Sequence, residues 1–241
     1  MKILITNDDG IQAECLRPLA EWACQFGEVT VVAPKVEQSA KSHGIEIHKA
    51  FEVKKVDFGP EIAAYSLDST PADCVRFAVL GLKEQYDLVL SGINKGLNLG
   101  LDIMYSGTVS AILEADALGI PGIALSAPPK YHTLALQDLD AVVDFFRTHR
   151  LMEQHNIYNV NIPAEHNGFR ITRQGGRYYS DDFLSQENDM FLPKGKDVFE
   201  QADTMERDTD AVLAGHYISI MPLSNSRADM DVYRSLLHLN P

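Results

Sequence analysis

Positive charge is scarce in this 241-residue sequence: 21 Lys and Arg stand against 34 Asp and Glu, a formal net charge of -13. So acidic a chain does not grip duplex nucleic acid, whose affinity comes mainly from Lys and Arg neutralising phosphates. Cysteine is scarce as well. Cys15, Cys24 and Cys74 are odd in number and show no C-x-x-C spacing, so they read as reduced core thiols of a cytoplasmic protein rather than a disulfide framework. No apolar run reaches the roughly 20 residues that span a bilayer. The opening MKILITNDDG falls short of the ~7 to 15 apolar residues of a secretory leader. Membrane association is therefore not expected. Repeats and low-complexity runs are missing too, and 45% hydrophobic with 23% charged residues is an ordinary globular composition.

Several catalytic signatures are also lacking. No G-x-G-x-x-G follows the first apolar run, and the acidic pair there would repel a pyrophosphate. A Walker loop and a G-x-S-x-G elbow are absent. The eight histidines, among them His43, His48, His149 and His155, show no H-E-x-x-H spacing, which disfavours zinc. His43 lies close to Ser39 in sequence and is the one of interest.

What is present is an alternation of strand and helix patterns. Lys2 to Thr6, Glu28 to Ala33, Asp87 to Ser91 and Gly122 to Ser126 are short β-branched or apolar runs bounded by turn residues. Between and after them, helical spacing appears over Ile11 to Phe26, Pro71 to Lys83, Thr108 to Ala117 and Leu134 to Arg147. Such alternation predicts an α/β fold with a doubly wound, mostly parallel sheet. Ligands of such sheets sit at the carboxyl ends of the strands, so the loops there are where chemistry is sought. Residues 44 to 67 read as an extended hairpin. From Tyr158 onward the alternation fades, and Tyr178 to Gln201 reads as irregular, as interfacial segments often do. A short helix and a strand, HYISIMPL, return over Asp208 to Leu223, and Asp229 to Leu237 is helix-like.

Asn7, Asp8, Asp9 and Gly10 close the first strand. Adjacent carboxylates on a strand point to opposite faces, so both meet one ion only if the chain turns, which Gly10 permits. The pair also reads as a cap of the following helix; its place at the crevice favours a metal. The second loop offers Ser39 and Ser42, and the third offers Asn94 and Asn98. Carboxylate, hydroxyl and amide oxygens suit a hard ion such as Mg²⁺ or Mn²⁺. Ser106, Gly107 and Thr108 precede a helix, where they serve equally as a cap or as a phosphate cradle.

Taken together these blocks match something specific. ITNDDGI (Ile5 to Ile11), AP followed by QS (Ala33, Pro34, Gln38, Ser39), TPADCV (Thr70 to Val75), SGIN with its trailing G-x-N-x-G (Ser91 to Gly100), YSGTV (Tyr105 to Val109), NVNIP (Asn159 to Pro163) and TRQG (Thr172 to Gly175) resemble the SurE family of nucleotidases. The resemblance implies a Rossmann-like core spanning residues 1–241. Its C-terminal part, about 158–241, is expected to supply protruding elements for a homodimer or homotetramer. It implies hydrolysis of nucleoside 5'- and 3'-monophosphates, with some action on polyphosphate, using one divalent ion per subunit, Mn²⁺ or Mg²⁺. Asp8, Asp9, Ser39 and Asn94 are the implied ligands. Asn98, Ser106, Gly107 and Thr108 lie near the phosphate, and Asp8 and Asp9 carry the chemistry. A covalent aspartyl-phosphate ranks lower, because Gly10 stands where a second Asp is wanted. The opposing reading is a nucleotide or phosphate sensor that binds without turnover. The chain departs from the family pattern at Ala40, Ser69 and Gly176, and at Met221.

Overall fold

The computed structural model describes residues 1–202 and 204–239. Nine strands form one sheet: β1 (Lys2–Thr6), β2 (Glu28–Pro34), β3 (Val53–Asp57), β4 (Ile62–Leu67), β5 (Leu88–Lys95), β6 (Gly122–Ala127), β7 (Ile157–Asn161), β8 (Phe169–Ile171) and β11 (Ile218–Pro222). Their order is β3-β4-β2-β1-β5-β6-β7-β11-β8. The six strands from β4 to β7 in that order are mutually parallel, while β3 and β11 pair antiparallel with β4 and β7. This is the expected mostly parallel α/β sheet. β9 (Tyr179–Ser185) and β10 (Phe191–Asp197) form a separate antiparallel hairpin, exposed along most of its length.

The helices are α1 (Leu16–Ala23), α2 (Pro71–Arg76), α3 (Gly107–Ala117), α4 (Leu139–Thr148), α5 (Leu151–Gln154), α6 (Asp208–Leu213) and α7 (Met230–Leu236). Several are shorter than the spacing predicts. α1 begins at Leu16 rather than Ile11 because Pro18 has no N–H and fits only a first turn. α2 passes into a π-helical turn over Phe77–Gly81, and α4 is preceded by a 3-10 turn over Leu134–Asp138. Thr70 caps α2, its hydroxyl accepting the Asp73 N–H at 3.1 Å, with Pro71 in the first position.

Alternate residues of the buried strands feed two cores. Ile3 and Ile5 of β1 pack beneath α1 and α4, whereas Leu4 packs beneath α2 and α3. One consequence is unusual. The β5–α3–β6 and β6–α4–β7 connections step the same way along the sheet, yet α3 and α4 lie on opposite faces. The second crossover therefore has the hand opposite to the first, against a rule that holds in roughly 98% of such units.

Two expectations are revised. The predicted hairpin over 44–67 is confined to β3 and β4, and residues 44–52 carry no strand. The stretch read as irregular, 178–201, contains the β9–β10 hairpin. Its residues are exposed on both faces, so no apolar alternation marks it.

Candidate active site

The site lies at the carboxyl ends of β1, β2 and β5, where three loops and the start of α3 converge. At the end of β1 the Asn7 side chain closes a turn by accepting the Gly10 N–H at 3.1 Å and donating to the Gly10 carbonyl at 3.0 Å. Gly10 takes φ +97, as the turn demands. Asp8 is thereby turned inward, only 4% exposed, and Asp9 toward the cleft.

Asp8 meets the first turn of α3. The Thr108 hydroxyl, fully buried, donates to Asp8 Oδ1. Gly107 makes the approach feasible: a Cβ there would stand 2.8 Å from Asp8 Cβ and 3.0 Å from Asp8 Oδ2. Burial pushes the Asp8 carboxyl up to about 6, the neighbouring charge of Asp9 adds to this, and Thr108's bonds hold it down. Asp9 is raised too, chiefly by burial, while its Oδ2 accepts the Lys95 N–H at 3.1 Å.

The second loop is stapled to this corner by the Gln38 N–H on the Asp8 carbonyl at 2.7 Å, and to the loop before α3 by Ser42. Ser39, between them, is exposed and donates to Glu37 at 2.6 Å, leaving its lone pairs for a cation. Ala40 adopts φ +58, a left-handed conformation suited to the glycine that the family pattern has there. His43, singled out for its nearness to Ser39, bonds Glu114 of α3 at 2.8 Å; Arg76 of α2 holds the other carboxylate oxygen at 3.0 Å. It anchors the far end of the loop.

On the third loop, Asn94 is half-buried and its amide nitrogen donates to the Gly96 carbonyl at 2.9 Å. Asn98 is buried in an amide network that sequence reasoning missed. Its N–H donates to Asn161 Oδ1 at 2.8 Å, its side chain donates to Ser126 at 2.8 Å, and its carbonyl accepts from Asn159 and Asn161. The signal was available: residues two apart on a buried strand share a face, so N-V-N sets two amides side by side. Asp208, buried at the start of α6, accepts the Gly100 N–H at 2.9 Å and the Gly175 N–H at 2.7 Å, tying the C-terminal third of the chain to this loop.

Ser106 caps α3, its hydroxyl accepting the Val109 N–H at 3.1 Å. The capping reading is thus present in the fold. The Thr108 hydroxyl donates to Asp8, so anything else it offers is a lone pair.

A divalent ion fits these residues. A carboxylate buried beside a second one is costly without a cation, and Asp8 Oδ2 takes no hydrogen bond from any side chain among the described residues. No cluster of three or more His, Cys, Asp or Glu occurs among the described residues, so two carboxylates with neutral hydroxyl and amide oxygens is the donor set available, one suited to a hard ion.

Comparison with known proteins bears on the chain as a whole. The family profile described as Survival protein SurE matches residues 3–181. The 5'-nucleotidase SurE of Thermosipho melanesiensis is 38% identical over 93% of this chain and 91% of its own length. That of Thermoanaerobacter sp. strain X514 is 39% identical over 100% and 97%. The crystal structure of the SurE protein from Aquifex aeolicus superposes with a TM-score of 0.78 at 32% identity, covering 99% of both chains. With a matching profile over most of its length, relatives of this identity and the same fold, the chain belongs to the SurE family.

Proposed function

We propose that the chain hydrolyses nucleoside 5'- and 3'-monophosphates, and short polyphosphate, as a divalent-metal-dependent phosphomonoesterase. The observation that carries the reading is Asp8: a buried carboxylate at a strand end, one oxygen held by the Thr108 hydroxyl and the other without a side-chain partner among the described residues, with Asp9 beside it. Its named relatives are 5'-nucleotidases. Asp8, Asp9, Ser39 and Asn94 hold the ion, Mn²⁺ or Mg²⁺, one per subunit. When bound, it neutralises phosphoryl charge and acidifies the attacking water.

Asp9, open to the cleft, would accept the proton of the attacking water, while Asp8 stays fixed by Thr108. Asn98 offers the second amide hydrogen that Ser126 does not take. Backbone at the start of α3, over Ser106, Gly107 and Thr108, faces the transferring phosphate. A monoester dianion strengthens these contacts, whereas a diester carries less charge and an extra substituent. The sequence offers no aromatic pair or bidentate motif assignable to a base edge, so base discrimination is modest.

The test is a panel of 5'-AMP, 5'-GMP, 5'-CMP, 3'-AMP, cyclic AMP and short polyphosphate with Mn²⁺, with and without EDTA, on the wild type and Asp8→Asn. Monoesters should be cleaved, EDTA should abolish cleavage, and Asp8→Asn should lower it at least ~100-fold. Binding of 5'-AMP with no cleavage of any monoester would establish the sensor instead.

The chain works in the cytoplasm as a homodimer or homotetramer. No helix among the described residues is long and apolar enough to cross a membrane. Phe183, Phe191 and Leu192 on the hairpin and Tyr233 on α7 are exposed apolar groups of the kind that mark interfaces. Light scattering should give a multiple of the monomer mass; a monomer at micromolar concentration would refute the assembly.

A further inference from the structure

The opposite hand of the β6–α4–β7 crossover puts α1 and α4 on one face, and they do not meet over the amino-terminal ends of β5 and β6. Leu88 and Ile123 are consequently left half-buried. The gap is a groove of about 400 Å³, within the roughly 300 to 1,000 Å³ of small-molecule sites. Ile3, Leu90 and Ile123 form its floor; Trp22 of α1 stands on one side and Val143 and Phe146 of α4 on the other. The Trp22 Nε1 donates to Asp140 at 2.9 Å, bridging the two helices and fixing that wall. Asp8 and Asp9 sit at the opposite ends of the strands, so the groove is no part of the site above.

The charged side chains in the lining itself are Arg147, Arg150 and Glu153. Arg150 and Glu153 pair with each other there. Arg147 pairs with no carboxylate among the described residues, and its guanidinium lies over the Phe26 ring, 5.3 Å from the centroid. An uncompensated cation at the rim of an apolar groove, in a chain of net charge -13, selects the sign of what enters.

We propose that this groove binds a small amphipathic anion, an apolar body carrying a single carboxylate or sulfonate. The body lies between Trp22 and Val143, and the head meets Arg147.

Trp22 is the one tryptophan of the sequence, so its emission reports on the groove. The probes are 8-anilinonaphthalene-1-sulfonate and its uncharged counterpart N-phenyl-1-naphthylamine, titrated into the full chain. The sulfonate should quench Trp22 with one site per chain. Arg147→Gln should weaken the sulfonate about tenfold and leave the uncharged amine within about twofold. Val143→Phe, which fills the groove, should remove both. Both variants should keep wild-type hydrolysis of p-nitrophenyl phosphate, which establishes that they fold and separates this proposal from the metal site. Equal affinity of the sulfonate for wild type and Arg147→Gln would overturn the proposal, as would Trp22 quenching that survives Val143→Phe. A fall in particle mass on Val143→Phe would assign the groove to contact between copies of the chain and equally overturn it.

Discussion

Thr108 and Asp8 are 100 positions apart in sequence, yet the hydroxyl of one donates to the carboxylate of the other. The bond joins the end of β1 to the first turn of α3 and orients the Asp8 carboxylate. Removing the hydroxyl while keeping the shape, Thr108→Val, should cost roughly 10- to 100-fold in kcat/KM, as loss of a partner that orients a ligand does. Because Thr108 holds the Asp8 carboxyl down, the acid limb of the pH profile should also move to higher pH. Thr108→Ser should restore both. A drop in melting temperature with an unmoved pH profile would leave Thr108 a structural residue only.

Gly107 tests the same corner from the backbone. A methyl group there would stand 2.8 Å from Asp8 Cβ and 3.0 Å from Pro71 Cγ. Overpacking of this kind costs about 1 to 3 kcal/mol, so Gly107→Ala should lower the melting temperature by several degrees and displace Asp8. Gly176→Ala, where an added methyl meets open space, is the comparison and should be silent in both assays. A fully active Gly107→Ala would show that the approach of α3 to Asp8 is not required.

The positions of the candidate site residues were legible in the sequence because they are punctuation. β1 ends where the apolar run meets Asn-Asp-Asp-Gly, and α3 starts where Ser-Gly-Thr precedes an apolar helix. What binds those points together was not legible. The Asp8–Thr108 bond, the Asn98 network with Asn159 and Asn161, and the grip of Asp208 on Gly100 link residues far apart in the chain. Spacing along a sequence carries no sign of such pairings. Nor does a helical pattern say which face of a sheet it covers, so the reversed crossover through α4 was invisible.

Ala40 offers a gain of stability. Its φ of +58 costs a residue with a Cβ roughly 1 to 2 kcal/mol, while the extra freedom of glycine in the unfolded chain gives back about 0.4 to 1 kcal/mol. The first term is the larger. Ala40→Gly should therefore raise the melting temperature by about 1 to 4 °C, with Mn²⁺ affinity equal or improved because Ser39 is its neighbour. A lower melting temperature would mean that the left-handed conformation is not retained in solution.

The remaining prediction concerns pH and the ion together. In the metal-free protein the Asp8 carboxyl is raised from 3.8 to about 6, with burial the main cause. The folded state thus binds this proton more tightly than the unfolded chain. Its stabilising contribution is complete below about 4 and is lost as pH rises through about 6. Metal binding has the opposite sign, because the ligand must be deprotonated. The rise in melting temperature caused by saturating Mn²⁺ should accordingly be large at pH 7.5 and small at pH 5, with its midpoint near 6. Asp8→Asn cannot titrate there: its metal-free stability should lose the dependence across this window, and its response to Mn²⁺ should be weak at both values. Differential scanning fluorimetry of both proteins at several pH values, with EDTA or Mn²⁺, measures each of these. A Mn²⁺ shift independent of pH, or one undiminished in Asp8→Asn, would remove Asp8 from the metal site.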